Sequence, residues 1–386
     1  MNQNCRLCGC ELFSKPLIVL NNVPKAAQFL PRKEEFSNNE HIDLNLCQCS
    51  GCGLVQITNN PVEYYKEVVT SAAWSEKMCS FRTRQMKKFI DDFSLHGKKI
   101  LEVGCGEGYL LDIIKTCGGL ATGLEASPKA VLTGKRAGRN IIGGYIDSAF
   151  KISDQPYDAF ISINFLEHAP DPNSMLRGIY HNLSREAVGV VEVPNLEKVL
   201  TNKRYYDFIA DHLSYFTVDT LRFALEKNGF AVLDCYSTWE DDDIMALVKK
   251  KGTLDIELQF SEIRSLISSL RSIIDDYKHN EKKVAVWGAS HQALTLLSMC
   301  KIGTGDVEYI IDSAKFKQGR YTPIGHVPIF APEILLDNPV DIVIVMAAGY
   351  SDEVVETLFA MNLKKTTVAI LKETTIELVR KEAFEI

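Results

Sequence analysis

The chain has 386 residues and a formal net charge of -7, with 46% hydrophobic and 24% charged residues. This length predicts two or three domains, because a single core rarely grows so large, and the composition is typical of a soluble globular protein. The acidic balance argues against a nucleic-acid partner, since phosphate contacts need a basic face and no basic run stands out. No stretch resembles a signal peptide or a bilayer-spanning helix, so we expect a cytoplasmic protein without a membrane partner, and a monomer is compatible with the sequence.

Six of the eleven cysteines lie in two short N-terminal stretches, CRLCGC at 5–10 and CQCSGCG at 47–53. Each stretch contains a Cys-x-x-Cys pair followed directly by glycine, and the two-residue spacer lets both thiolates face one metal ion. The cysteines of these pairs are Cys5, Cys8, Cys49 and Cys52. They predict a structural zinc site in a zinc-binding module at 1–60, because four thiolates leave no open position for water. Cys10 and Cys47 are competing ligands, and buried free cysteines are the alternative interpretation.

Apolar strands alternate with helices from 86 to 250, which predicts a doubly wound α/β domain over 61–250. The segment KKILEVGCGEGYLLDIIKTCG indicates a strand, a glycine-rich turn and an amphipathic helix. The turn has the pattern Glu-x-Gly-x-Gly-x-Gly, formed by Glu102, Gly104, Gly106 and Gly108. Such a turn lets the backbone approach a ligand closely, although in a dinucleotide fingerprint the third glycine would stand at Tyr109.

Two further strand ends place polar residues at the same edge of the predicted sheet. ATGLEAS ends a second strand with Glu125, where an acid could accept hydrogen bonds from both hydroxyls of a ribose. YDAFISINFLEHAPDP is a third apolar strand, and the residues that follow it are Asn164, Phe165, Leu166, Glu167 and His168. The carboxyl edge of an open α/β sheet is its functional edge, so we expect a binding site here, with a structural rather than catalytic role for His168.

The segment DFIADHLSYFT at 207–217 places His212 beside Asp211 in an otherwise apolar stretch that also contains Tyr215. A histidine on an apolar background is more often a structural residue than a catalyst. By itself the segment leaves open whether His212 is a general base or a core histidine.

The last third of the chain predicts a second α/β unit. Apolar residues recur at helical spacing over 255–278, which indicates an amphipathic connecting helix within 251–282. KKVAVWGASHQALTLL then gives a strand, a glycine turn and a helix, and predicts a Rossmann-like domain over 283–386. Its fingerprint is degenerate, with Ser290 and Ala293 where glycines are expected, so we favour a ligand other than a nicotinamide cofactor.

The motifs of the middle domain, taken together, resemble those of class I S-adenosylmethionine-dependent methyltransferases. The order along the chain, from the cysteine pairs to VWGAS, DSAKFKQG and GHVPI, resembles the nucleotide-sugar C-methyltransferases that make 3-C-methyl branched deoxysugars. The resemblance implies an α/β protein with a zinc-binding N-terminal module, a class I methyltransferase Rossmann-like domain and, over 283–386, a C-terminal Rossmann-like domain that helps bind the substrate. It also implies S-adenosylmethionine as cofactor, structural zinc, and a nucleoside-diphosphate 4-keto sugar as substrate.

The resemblance implies roles for the residues at the sheet edge. Glu102 and the three glycines of its motif would bind the cofactor, with the glycines facing its methionine part. Glu125 would bind the ribose, and Asn164, Phe165 and Leu166 would lie near the sulfonium.

A histidine base is implied for the chemistry itself. In that family the base follows an acid in a segment ending His-x-x-Tyr-Phe, and DHLSYF matches it with Asp211 and His212. A carbon nucleophile requires removal of a proton beside a ketone, and a neutral histidine near pH 7 can accept that proton. The enolate oxygen needs a donor or a cation, for which Tyr205, Tyr206 and Tyr215 are unranked candidates.

Two positions depart from the family pattern and leave the substrate open. Ile209 stands where a tyrosine is common, and YYKEVVTSAAWSEKM replaces a tyrosine-rich segment, with Tyr64 and Tyr65 nearby. The sugar and its nucleotide therefore stay open. Two other classes also remain, an O- or N-methyltransferase and a zinc-dependent binding protein with a vestigial cofactor fold, although the intact glycines and Glu125 speak against the latter.

Overall fold

The computed structural model describes residues 4–25, 27, 33, 41–64, 75–363 and 365–379. The chain forms two compact units, Met1–Gly252 and Thr253–Ile386. The strands of the first unit are β1 (Ile18–Pro24), β2 (His41–Gln48), β3 (Val55–Ile57), β4 (Lys99–Val103), β5 (Leu120–Glu125), β6 (Ile141–Gly143), β7 (Tyr157–Ile163), β8 (Leu183–Pro194), β9 (Ser214–Tyr215), β10 (Phe230–Thr238) and β11 (Asp243–Lys250). Its helices are α1 (Glu76–Asp92), α2 (Tyr109–Thr116), α3 (Pro128–Arg136), α4 (Pro172–His181), α5 (Leu196–Thr201) and α6 (Val218–Lys227).

The doubly wound domain is built on a seven-stranded sheet in the order β10-β11-β8-β7-β4-β5-β6. Strands β6, β5, β4, β7 and β8 run parallel, β11 is antiparallel to β8, and β10 is antiparallel to β11, so β11 alone runs against the other six strands. Helices α1 and α2 pack on one face and α4 and α6 on the other, so the central strands are buried on both faces and read as continuous apolar runs. This confirms the predicted α/β fold. The direction of winding changes between β4 and β7, which puts the ligand crevice at their carboxyl ends.

Helix starts in this domain follow from short polar side chains. The Ser75 hydroxyl accepts a hydrogen bond from the Met78 amide at the start of α1, and Ser127 does the same for Ala130 at the start of α3. Both serines satisfy an amide that has no partner within the helix. The cap at Ser127 fixes the chain immediately after Glu125, at the edge where the crevice lies.

A second, four-stranded sheet in the order β1-β2-β3-β9 belongs to the same unit. Strands β1 to β3 come from the N-terminal segment, whereas β9 comes from the DHLSYF segment and pairs antiparallel with β3. Two of the paired cysteines, Cys5 and Cys49, are buried in the same apolar cluster as Phe216 and Leu221. The cysteine segments therefore share a core with the doubly wound domain, whereas the strands of the N-terminal sheet pack in a separate cluster with Leu196 and Val199 of α5.

The C-terminal unit is a second doubly wound sheet. Its elements are β12 (Val284–Trp287), β13 (Tyr309–Ile311), β14 (Ile329–Phe330), β15 (Ile342–Val345), β16 (Thr367–Leu371), β17 (Ile376–Val379), α7 (Glu257–His279), α8 (His291–Met299), α9 (Ile334–Asp337) and α10 (Ser351–Ala360). The strand order is β14-β13-β12-β15-β16-β17, parallel except for β17. The predicted connecting helix is α7, and Leu266, Leu270 and Ile274 bury its apolar face against this unit's sheet. Within the described residues, every helix is too short or too polar to cross a bilayer.

Candidate active site and cysteine cluster

The glycine-rich turn connects β4 to α2 at the carboxyl edge of the sheet. Gly104, Gly106 and Gly108 all have positive φ, at 76°, 55° and 84°, which side chains rarely adopt. A Cβ on Gly104 would lie 2.6 Å from the ring of Phe165. The turn and the residues after β7 are thus packed directly against each other, as the sequence motifs of one shared site would require.

Glu125 is hydrogen-bonded to the glycine turn. Its Oε2 accepts from the Gly106 amide at 2.9 Å and its Oε1 from the Ser127 amide at 2.7 Å. The side chain is buried, and burial raises the pKa of its carboxyl. Because each carboxylate oxygen has a second lone pair, these bonds leave acceptor capacity toward the crevice.

Glu102 lies at the end of β4, beneath the turn. It is 7% exposed, and its Oε2 has no hydrogen-bond partner among the described residues. Burial, and then the charge of Glu125, raise the pKa of Glu102 to about 8. Glu102 is therefore a neutral carboxylic acid near pH 7, while Glu125 is the better acceptor for ribose hydroxyls.

The residues after β7 turn sharply. Asn164 has a positive φ of 48°, and its amide donates to the Glu192 carbonyl at 2.9 Å. Leu166 is fully buried and anchors a short 3-10 turn at Leu166–His168, while Phe165 remains at the crevice beside the Tyr145 ring, 6.4 Å away. Of the three predicted cofactor contacts here, Phe165 lies against the glycine turn and Leu166 points into the core.

Asp211 is bonded to the N-terminal segments. Its carboxylate accepts hydrogen bonds from the Tyr64 hydroxyl at 2.5 Å and from the Ala27 amide at 3.1 Å. Its backbone carbonyl accepts from His168 Nδ1 at 2.9 Å. Asp211 therefore fixes the position of the DHLSYF backbone. Tyr65, the other tyrosine noted in the sequence, lies outside the described residues.

His212 is partly buried and packs against a second histidine. The ring centroids of His212 and His168 lie 4.7 Å apart with the planes at 77°, and the Tyr215 ring lies 6.0 Å from His212. Burial, and then the proximity of His168, hold the pKa of His212 well below its ordinary value. The His212 imidazole is therefore neutral at pH 7, which is the form that can accept a proton.

Tyr215 is held by backbone groups of its own segment. Its hydroxyl donates to the Ile209 carbonyl at 3.0 Å and accepts from the Ile209 amide at 3.0 Å. The residue is 6% exposed, and burial raises its pKa far above the ordinary value. In this structure Tyr215 braces the turn at Ile209, whereas Tyr205 and Tyr206 are 41% and 79% exposed.

A groove of about 670 Å³ lies along this segment. It is lined by residues 19–24, by Ala27, and by Tyr205, Tyr206, Phe208 and Ile209. The volume is within the usual range for small-molecule sites. The His212 amide donates to the carbonyl of Ile209, a lining residue, at 3.3 Å, so the backbone of the His212 segment adjoins the groove, although His212 is not itself a lining residue.

Sequence reasoning missed the importance of Glu167. Its side chain is 1% exposed, and neither carboxylate oxygen has a hydrogen-bond partner among the described residues. One donor or acceptor atom from each of Glu167, His168 and His212 lies within 4.8 Å of the others. The available signal was the charged pair of LEH directly after a buried strand.

The two cysteine pairs form one compact cluster. One sulfur atom from each of Cys5, Cys8, Cys49 and Cys52 lies within 4.8 Å of the others. The Cys5–Cys52 and Cys8–Cys49 sulfur distances are 3.6 Å and 3.3 Å. Amides of Leu7 and Cys8 point at the Cys5 sulfur, and those of Gly51 and Cys52 point at the Cys49 sulfur. Cys10 is exposed beside the cluster, and Cys47 lies on β2 outside it.

Family models match both units of the chain. Residues 78–234 match a methyltransferase domain, and residues 252–370 match a C-methyltransferase C-terminal domain. Together these matches follow the order that the sequence motifs predict.

Individual relatives cover the chain to different extents. The C-methyltransferase NovU of Streptomyces niveus is 20% identical over 91% of each chain. The ubiquinone biosynthesis O-methyltransferase of Bordetella parapertussis is 33% identical over 22% of this chain and 37% of its own. Magnesium protoporphyrin IX methyltransferase of Synechocystis, solved with bound S-adenosylhomocysteine, is 14% identical over 49% of this chain and 97% of its own, with a TM-score of 0.39.

The full-length match and the two domain matches agree with the seven-stranded sheet and its glycine turn. The enzyme class and the cofactor predicted from the motifs are confirmed by them. The chain is an S-adenosylmethionine-dependent methyltransferase, and its C-terminal unit is similar to the C-terminal domain of C-methyltransferases.

Proposed function

We propose that this enzyme methylates a carbon next to the ketone of a nucleoside-diphosphate deoxysugar, with His212 as the base that generates the enolate. The observation that carries the proposal is the neutral imidazole of His212, whose backbone is hydrogen-bonded to the groove residue Ile209, on the same unit as the glycine turn and Glu125. A methyl acceptor on oxygen or nitrogen needs less basic help. A histidine near the groove favours the carbon acceptor, because the lowered pKa of His212 keeps its ring in the unprotonated form that can accept a proton, while also making it a weaker base.

Different residues of this chain have different roles in the proposed mechanism. Bound S-adenosylmethionine supplies a methyl group on a positively charged sulfur. His212 takes the proton from the substrate carbon and leaves the electron pair of that C–H bond in the enolate. That pair then forms the new C–CH3 bond as the S–CH3 bond breaks, and the electron pair of the broken bond stays on the sulfur, which becomes neutral. Phe165 and the glycine turn shape the site on the cofactor side, and Asp211 holds the His212 backbone through Tyr64 and Ala27.

The groove supports a substrate with a flat or apolar part. Tyr205, Tyr206 and Phe208 offer aromatic surface, and the side chains of Asn21 and Asn22 offer neutral hydrogen bonds. Ile209 in place of the tyrosine common in the family leaves this part of the groove without a hydroxyl, so a substrate group there would be held by packing. The predicted role of the C-terminal unit in substrate binding stays part of this proposal.

A product analysis tests the proposed function. The enzyme is incubated with S-adenosylmethionine carrying a 13C-labelled methyl group and with thymidine- and uridine-diphosphate 4-keto-6-deoxysugars, and the methyl position is located by NMR. A methyl bonded to carbon next to the ketone is the expected result. A methyl on oxygen, or transfer only to acceptors that lack a ketone, would contradict the proposal.

Replacing Glu125 by alanine is expected to weaken cofactor binding by about 2 to 4 kcal/mol, the scale of two charge-assisted hydrogen bonds. The change also removes the bonds that Glu125 makes to the amides of Gly106 and Ser127. Calorimetry with S-adenosylhomocysteine measures the loss. Glu125→Gln keeps the shape and one acceptor and should lose less, whereas unchanged affinity in the alanine variant would remove Glu125 from the binding site.

We also propose that the cysteine cluster holds one structural zinc ion. Four thiolates at about 2.3 Å from a tetrahedral zinc lie about 3.8 Å from one another, close to the sulfur distances of 3.3 Å and 3.6 Å seen here. The amides directed at the Cys5 and Cys49 sulfurs stabilise thiolate rather than thiol. The residues present therefore fit the ion, and they leave no position for a reacting water.

A further inference from the structure

The methyltransferase activity established above gives no role to the buried carboxyl group of Glu167. It lies in the short turn Leu166–His168 at the carboxyl end of β7, with 1% of its surface exposed. Neither oxygen receives a hydrogen bond from any described residue. Burying a polar group without a partner is costly, so this arrangement needs a reason.

The neighbours of Glu167 are the two histidines of the candidate site. His168 Nδ1 lies 2.9 Å from the Asp211 carbonyl oxygen, which only accepts, so Nδ1 carries the ring proton. His168 Nε2 is then the nitrogen with a lone pair, and it lies 3.8 Å from Glu167 Oε1. His212 packs edge-on against this ring, within 4.8 Å of Glu167 atom to atom.

Other charged groups face Glu167 from the neighbouring strands. Glu192 on β8 is already neutralised by Arg82 of α1, which binds both of its oxygens at 2.7 and 2.5 Å. Asp243 on β11 lies beyond it, and burial and Glu192 raise its pKa to about 7. On the DHLSYF segment, Asp211 is bonded to Tyr64 and Ala27.

This environment determines the protonation state of Glu167. Burial, and then Asp243 and Glu192, raise the pKa of Glu167 to about 8, so the acid is neutral at pH 7. A positive charge on His212 would reverse this balance, because an opposite charge a few ångströms away favours the carboxylate.

We propose that Glu167 is a positioning residue that supplies the counter-charge for protonated His212. His212 takes the proton of the substrate C–H bond, and Glu167 releases its own proton to water, so the pair stays neutral. Methylation by a sulfonium releases one proton overall, and the proton from Glu167 is the one that leaves. After the products depart, the His212 proton returns to Glu167, and the pair is reset. The catalytic step rests on the proposed role of His212, but the electrostatic coupling of the two groups does not.

An NMR titration tests the coupling without any substrate. Histidine labelled with 13C at Cε1 reports the protonation of each ring, and the His212 signal is assigned by its loss in His212→Asn. The wild-type His212 signal should shift a second time near pH 8, when Glu167 ionises. In Glu167→Gln that second shift should vanish, while the main His212 titration should change little, because Glu167 is protonated and neutral in the pH range where His212 gains its proton. An identical His212 titration in both proteins would overturn the proposal.

A matched control separates the charge from packing. Ser162→Ala removes another buried group without a hydrogen-bond partner, in the strand that leads to Glu167, and should leave the His212 titration unchanged. Glu167→Gln resembles the neutral acid. The folded-state pKa of Glu167 lies above its unfolded value, so the wild type loses stability between about pH 4.5 and 8 and the variant does not. The glutamine variant should therefore melt at or above the wild-type temperature at pH 7.

Kinetics and metal analysis complete the test. With an accepted substrate, Glu167→Gln should lower kcat roughly 10- to 100-fold with little change in KM, and should remove the rise in rate near pH 8. Glu167→Asp should restore part of that rise. If elemental analysis found a metal ion beyond the zinc of the cysteine cluster, and Glu167→Gln removed it, the three side chains would be a metal site and the proposal would be wrong.

Discussion

Replacing His212 by alanine is expected to lower turnover roughly a hundredfold or more while cofactor and substrate still bind, which is the usual scale for loss of a general base. The enolate forms only if a base takes the proton, and we propose the neutral ring of His212, which directly follows the groove-lining segment, as that base. Single-turnover rates measure the chemical step. Exchange of the acidic C–H of the substrate with deuterated water, where the wild type shows it, should disappear in the variant.

The same sample must show that the variant is folded. A purely structural His212 would leave a cavity on truncation and lower the melting temperature, while each folded molecule kept its rate. His181→Ala, on α4 and hydrogen-bonded to the Ser148 carbonyl, is a matched histidine control that should retain near-normal turnover. A near-normal rate in well-folded His212→Ala would exclude His212 from the mechanism and favour methylation of oxygen.

Replacing Cys49 by serine is expected to unfold or strongly destabilise the whole first unit. Binding of zinc to four ligands contributes about 10 to 16 kcal/mol of folding free energy in small zinc domains, which exceeds or matches the stability of an ordinary domain. Cys49 is 2% exposed and shares a core with Phe216, which directly follows the β9 strand. The damage should therefore extend beyond the N-terminal sheet and impair turnover indirectly.

Elemental analysis and thermal melting check this expectation together. The wild type should contain one zinc ion per chain, and Cys49→Ser should contain much less and melt at a far lower temperature. Cys10→Ser is the control, because Cys10 is exposed and lies beside the cluster. Freshly purified wild type without zinc, or a Cys10→Ser variant that loses it, would contradict the proposed ligand set.

The parts of the site that the sequence could predict depend on local backbone geometry. The turn in which Gly104, Gly106 and Gly108 all have positive φ can be recognised directly in the sequence, because glycine is the residue that adopts this conformation readily. Glu125 follows for the same reason, since its distance along the chain from the turn is set by one helix and one strand.

The parts that could not be predicted depend on contacts between distant segments. Asp211 and His212 are neighbours in sequence, but the Asp211 carboxylate binds Tyr64 and Ala27, which lie 147 and 184 residues earlier in the chain. The partner of the His212 ring is His168, from the end of β7. The Tyr215 hydroxyl is used by Ile209, a contact that no pattern of residue types reveals.

The two-residue strand β9 makes the histidine segment a member of the N-terminal sheet, while the Leu213 amide donates to the Glu167 carbonyl of the other sheet at 2.8 Å. The segment that carries His212, the residue proposed to remove the proton, is therefore held by both the N-terminal sheet and the turn that follows β7. If DHLSYF were moved into an unrelated methyltransferase domain, the imidazole would be present but the N-terminal sheet that positions it would be missing. Chimeras between relatives should retain activity only when the N-terminal sheet and residues 205–216 come from the same parent protein.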